Sequence, residues 1–174
     1  MTFTLSKSLE ILERTPGVLM AMVYDLSDGW TLSNEGAETW SVFDIVGHLI
    51  HGEKTDWIPR MEIILSAKSG KIFEPFDRFA QHENSKGKSL AELLDEFKRL
   101  RNTNIEHLRS KKLTDKDLEK KGIHPAFGEI TLSQLLATWT VHDLNHIAQI
   151  SRVMAKQYIA EVGPWTAYLK ILQL

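Results

Sequence analysis

The chain has 174 residues, 43% of them apolar and 25% charged, with a formal net charge of −2 and no cysteine. This length suits one domain with a sizeable core, and the near-neutral charge gives no basic footprint for nucleic acid. The lack of cysteine excludes disulfides, thiolate ligands and a cysteine nucleophile, in keeping with a reducing, cytoplasmic setting. The N-terminus does not read as a secretory leader, and no apolar run approaches the ~18–20 residues of a membrane span.

In chain order, Leu5, Leu9 and Leu12 predict a short helix over 4–13. Thr15 as N-cap with Pro16 at N1 opens a second piece to about Leu26, ended by Asp28-Gly29. Residues 30–39 read as a polar loop. Val42, Ile45, Val46, Leu49 and Ile50, then Trp57, Met61, Ile64 and Leu65, recur at helical spacing over 41–67. Pro59 should kink that helix, and Ser69-Gly70 should close it. Residues 70–88 read as a long connection with a turn of helix near 76–79. Ser89 and Glu92 form a capping box for a helix to about Arg109, with Phe97 and Ile105 among its inward residues. A short helix from Thr114 to Gly122 and a loop over 123–130 follow. Thr131 and Gln134 form a second capping box for a helix to about Lys156, and Gly163-Pro164 precedes a final helix over 164–172. Almost nothing alternates with period two. The expected fold is all-α: an antiparallel four-helix bundle, residues 1–174 as one domain, with a long crossover and short extra helices.

Within the last long helix, His142 and His146 lie four apart, on one face and one turn from each other. That face is the inward one, shared with Leu135, Gln149 and Val153. An isolated H-x-x-x-H arises easily by chance, so a metal site needs a third ligand. His48, inward on the 41–67 helix, is the candidate. Three neutral imidazoles leave part of a divalent metal's shell open, which distinguishes catalytic sites from closed structural ones. Asp44, one turn before His48, would orient an imidazole, or else stabilise the helix or lie exposed. Gln149 would hold a water or substrate group, or else make a core-to-loop hydrogen bond. His51, rotated about 60° from His48, reads as a surface residue, with a substitute ligand or a group supporting the ligands as the alternatives. His82, His107 and His124 read as structural or solvated, and Trp40, Trp57 and Trp139 as core.

Several stretches, taken together and in order over nearly the whole chain, resemble the DinB-like (DinB/YfiT) superfamily of metal-binding four-helix bundles. They are Thr15-Pro16, Trp40-Ser41 through Gly47-His48-Leu49, Leu113-Thr114, His124-Pro125-Ala126-Phe127-Gly128, Ile130-Thr131-Leu132-Ser133-Gln134-Leu135-Leu136 and His142-Asp143-Leu144-Asn145-His146-Ile147-Ala148-Gln149-Ile150. The resemblance implies that His48, His142 and His146 hold a divalent metal, nickel or zinc. It also implies a small-molecule substrate and, in keeping with thiol-dependent members of the family, a low-molecular-weight thiol as cofactor. Members are often homodimers, and Trp165 would suit an interface. The first reading is a metal-dependent thiol S-transferase. The second is metal-dependent hydrolysis of a small molecule: His142-Asp143-x-x-His146 is one methylene short of the H-E-x-x-H of zinc proteases, which disfavours peptide cleavage. A third reading is a non-enzymatic stress-response bundle whose ion staples two helices.

Overall fold

Capping side chains set most of the long helix starts. Ser41 with Asp44, Ser89 with Glu92, Thr114 with Asp117 and Thr131 with Gln134 all form reciprocal capping boxes. The computed structural model describes residues 2–67 and 70–174. Its first arm is α1 (Leu5–Leu12) and α2 (Thr15–Val23), followed by one turn, α3 (Asp28–Thr31), inside the expected loop. The second arm is α4 (Val42–Thr55) and α5 (Trp57–Leu65), and α6 (Ala80–Asn84) lies in the crossover. The third arm is α7 (Leu90–Ser110). The short α8 (Asp115–Leu118) and a hairpin of β1 (Lys121–His124) and β2 (Gly128–Thr131) precede the fourth arm, α9 (Leu132–Lys156).

Two core clusters fix the direction of the arms. One gathers Leu19, Val23, Ile45, Leu94 and Ile150. The other gathers Leu12, Met61, Ile105, Leu136 and Trp139. The first and fourth arms therefore run one way and the second and third the other. This is the expected antiparallel bundle, and it explains the crossover. The second and third arms run alongside each other in the same direction, so the chain between them must travel back about 30 Å.

The helix expected over 41–67 is two helices. Asp56, at φ −107 and ψ −73, separates them. The ring of Pro59 collides with the carbonyl four residues back, at Thr55, so the helix yields there. The expected closure at Ser69 lies outside the described residues. The crossover's helical turn is α6 and not 76–79, the helix from Thr114 ends at Leu118, and the C-terminal helix is two 3₁₀ turns, Gly163–Ala167 and Lys170–Leu172.

The loop expected over 123–130 is largely an antiparallel hairpin, with Lys121 opposite Thr131 and His124 opposite Gly128. The crossover adds to its edge. Phe73 N–H donates to the Ile123 carbonyl at 2.9 Å, and Ile123 N–H donates to that of Lys71 at 2.7 Å. Gly122 permits this approach, because a Cβ there would stand 2.7 Å from the Phe73 ring. Strands of four residues offer too few alternations to register as a period. No described helix is long and apolar enough to cross a membrane.

Candidate metal centre

His48 comes from the second arm, and His142 and His146 from the fourth. The Nε2 atoms of His48 and His146 each lie 3.1 Å from that of His142. A metal–nitrogen length of about 2.1 Å sets the spacing of adjacent ligands at about 3.0 Å in an octahedron and about 3.4 Å in a tetrahedron. The observed spacing falls between them.

Hydrogen bonding alone does not account for the cluster. Gln149 Oε1 accepts from His146 Nδ1 at 2.8 Å, which leaves the His146 Nε2 lone pair aimed at the centre. His142 Nε2 has at most one proton to offer two neighbours at equal distance. A shared cation satisfies all three lone pairs. The imidazoles are also in the ligating form. Burial first, then the neighbouring histidines, pushes His48 down to about 3 and His142 down to about 2. Burial lowers His146 as well, against the Gln149 hydrogen bond and the Asp143 charge. The donor set therefore fits a divalent metal ion.

The triad opens on a cavity of about 1200 Å³ between the second and fourth arms, roofed by the crossover and the hairpin tip. Trp40, Trp57, Phe76 and Phe127 give it apolar walls, and Asp56, Arg60, Arg78 and Arg152 supply charge. Trp40, expected in the core, is half-buried over the site, its ring 4.7 Å from that of His48. Trp57 packs edge-on against His142 at 5.1 Å and parallel to Trp139 at 5.8 Å.

A family model for the DinB superfamily matches residues 11–150. The chain belongs to the DinB superfamily. Among solved structures it is similar to YfiT from Bacillus subtilis, described as a probable metal-dependent hydrolase with an unusual four-helix bundle topology. The match covers 92% of this chain and 91% of that one at a TM-score of 0.74 and 22% identity, a likeness of fold. No curated protein matches the sequence.

Other expectations for this DinB-superfamily chain resolve residue by residue. Asp44 caps α4: its Oδ2 accepts from Ser41 N–H at 3.0 Å and from Ser41 Oγ at 2.7 Å, while Oδ1 lies 3.3 Å from His82 Nδ1. It orients no imidazole of the triad, because the cap takes up its carboxylate. Gln149 holds His146 itself, since a side chain three residues along a helix reaches back to it. His51 is buried under Phe76, with ring centroids 4.8 Å apart, so it is neither a surface residue nor part of the triad. His107 pairs with Glu62, and His124 Nδ1 accepts from the Ala126 and Phe127 N–H groups to close the hairpin turn. Trp165 is exposed.

Beneath the triad lies an ion network that joins all four arms. Arg101, fully buried on α7, donates to both oxygens of Asp143 at 2.6 and 2.9 Å, to Glu53 Oε1 at 2.8 Å and to the Leu12 carbonyl at 2.9 Å. Thr15 Oγ donates to Asp143, Trp139 Nε1 to Glu53, and Asn104 Nδ2 to Glu53 Oε2. Burial opposes the charge of Arg101, but the carboxylates of Glu53 and Asp143 outweigh it and hold its pKa above the ordinary value. The Asp143 carboxylate is therefore committed to the core and has no access to the cavity as a general base. The network's sequence signal was Arg101 itself, four residues after Phe97 and four before Ile105 on an apolar stripe. Asp56 sits at the helix break and Arg78 in the crossover, where no period marks them, whereas Arg60 lies within α5 on the buried face with Trp57, Met61 and Ile64.

Proposed function

We propose that this protein is a metal-dependent enzyme with nickel or zinc held by His48, His142 and His146, and that it transfers a low-molecular-weight thiol to a small electrophile. One observation carries the reading: three neutral imidazoles converge on a large, apolar-walled cavity. The chain has no cysteine, so any thiol arrives as a ligand.

A divalent metal bound there supplies Lewis acidity, which lowers the pKa of a thiol or a water. The residues do the rest. Gln149 keeps His146 Nδ1 protonated and its Nε2 free. The ion network fixes the register of the arms that carry the histidines. Trp40, Trp57 and Phe76 exclude water and give the electrophile an apolar bed. In the transfer the thiol gives its proton to solvent. Its sulfur then forms a bond to the electrophilic carbon, and the leaving group departs with the electron pair of the bond it breaks.

Hydrolysis of a small molecule is the second reading. The likeness to YfiT and the placement of Asp56 in the cavity wall favour it.

Elemental analysis of untagged protein tests the shared premise, with about one nickel or zinc per chain expected and lost in His48→Ala. The cobalt-loaded protein, titrated with cysteine, glutathione, bacillithiol and mycothiol, then separates the readings. A thiol-dependent change in its absorption, with turnover of a chlorinated fluorogenic electrophile, supports transfer. Spectral silence toward all four thiols removes that reading and leaves hydrolysis.

A further inference from the structure

The cavity has a second polar pole. Asp56 and Arg60, only 9% and 7% exposed, line it beyond the triad, and Arg60 Nε lies 2.5 Å from Asp56 Oδ1. The pair is one-sided. Its N–H does not point along that line, so Asp56 Oδ1 has no well-directed hydrogen bond. Asp56 precedes α5 but caps nothing. Arg60 is held firmly. Its Nη2 donates to the Glu74 carbonyl at 3.3 Å, and its guanidinium lies 5.2 Å from the centre of the Phe73 ring. Among the described residues Nη1 has no protein acceptor.

The other buried arginine system is built differently. Asp143 accepts from Arg101 through both oxygens and from Thr15 as well, so the core network has no comparable vacancy on its carboxylates. Arg152, at the other end of the cavity, is taken up by Glu35 through two contacts at 2.6 and 3.2 Å. Among the described residues, only Asp56 and Arg60 give the cavity wall a buried acceptor without a well-directed donor beside a guanidinium edge without an acceptor. Such groups are costly unless a ligand completes them. Burial raises the Asp56 pKa to about 6 against the pull of Arg60, as expected of an under-solvated carboxylate.

We propose that Asp56 and Arg60 form a subsite for the head of an α-amino acid, Arg60 taking its carboxylate and Asp56 its ammonium group. A guanidinium edge matches a carboxylate bidentately, and an adjacent anion selects for a neighbouring cation. Asp56 follows His48 by eight residues, about 12 Å along the helix axis. A ligand reaching both poles therefore has the extended length of about three residues. This substrate class rests on the reading of the triad as the reactive end of the same cavity, but its test does not need the metal.

Isothermal titration of the metal-free protein would use S-methylglutathione, which carries such a head and no free thiol, and its analogue lacking the glutamyl amino group. S-methylglutathione should bind about tenfold or more tightly than the analogue. Arg60→Gln should weaken both probes, and Asp56→Asn only the first, which makes the two nearly equal. Asp56→Asn keeps the shape of the side chain, so it remains informative if Arg60→Gln folds poorly, and circular dichroism checks both variants. No binding of S-methylglutathione, or the same preference in wild type and Asp56→Asn, overturns the subsite. Spectral silence of the cobalt protein toward free thiols overturns the transfer reading instead, so the two failures are distinct.

Discussion

The three imidazoles are neutral because the fold desolvates them, and this links stability to pH. An unfolded histidine takes up a proton below pH 6.5, but His48 resists until about 3 and His142 until about 2. In that window the unfolded state binds more protons, so stability rises with pH and is lost as pH falls from 6.5. The metal-free protein should become less stable by up to about 1.4 kcal/mol per pH unit for each fully buried imidazole. Urea denaturation at pH 7.5, 6.5 and 5.5 checks this, and a flat profile would show that the imidazoles charge freely in the fold. Arg101 is the other residue whose environment dictates an outcome. Arg101→Met would strand the carboxylates of Glu53 and Asp143 in the core, at about 3–5 kcal/mol. A loss under about 1 kcal/mol in denaturant melts would mean that water solvates them in its place.

At the scale of elements, the crossover is pinned at two points and the site sits between them. At one, Phe73 joins the edge of β1. At the other, α6 lies against α4 at Gly47, where a Cβ would come within 2.5 Å of Ser85 Oγ and 3.2 Å of Gln81 Cβ. Phe76, between the two, covers His48. Gly47→Ala should therefore cost about 1–3 kcal/mol through overpacking, despite the better helix propensity of alanine, about 1 kcal/mol. Gly47→Ala with Ser85→Ala should recover part of it. A double-mutant cycle from thermal melts measures the coupling. Additive effects would mean that α6 simply moves away.

For the whole molecule, the three histidines of the candidate site bridge arms two and four, which are far apart in sequence. An ion that binds the folded state alone adds about 4 kcal/mol when its concentration is 1,000 times Kd. Zinc should raise the melting temperature accordingly. The far-ultraviolet circular dichroism should not change, because the nitrogen spacing already suits a ligand set. Metal bound without any thermal shift would place the ion outside the triad.

Most of the architecture follows from local signals. The long arms were legible from their apolar periods and from Ser89 and Thr131, because helix formation depends on residues within one turn of each other. His142 and His146 were paired by the same short-range geometry. His48 was the candidate third ligand from its inward place on the 41–67 helix, and the resemblance strengthened it, since its partners are 94 and 98 positions away and no local rule reaches that far. The family was legible in the order of its motifs, and the DinB model matching residues 11–150 supports it. Tertiary structure decided the rest. It broke the second arm at Asp56, turned a loop into a hairpin against the crossover, and gave Asp44 to a helix cap and Asp143 to Arg101. The reason in each case is that a polar side chain's role depends on which partner the fold brings within about 3 Å, and the order of residues along the chain does not specify that partner.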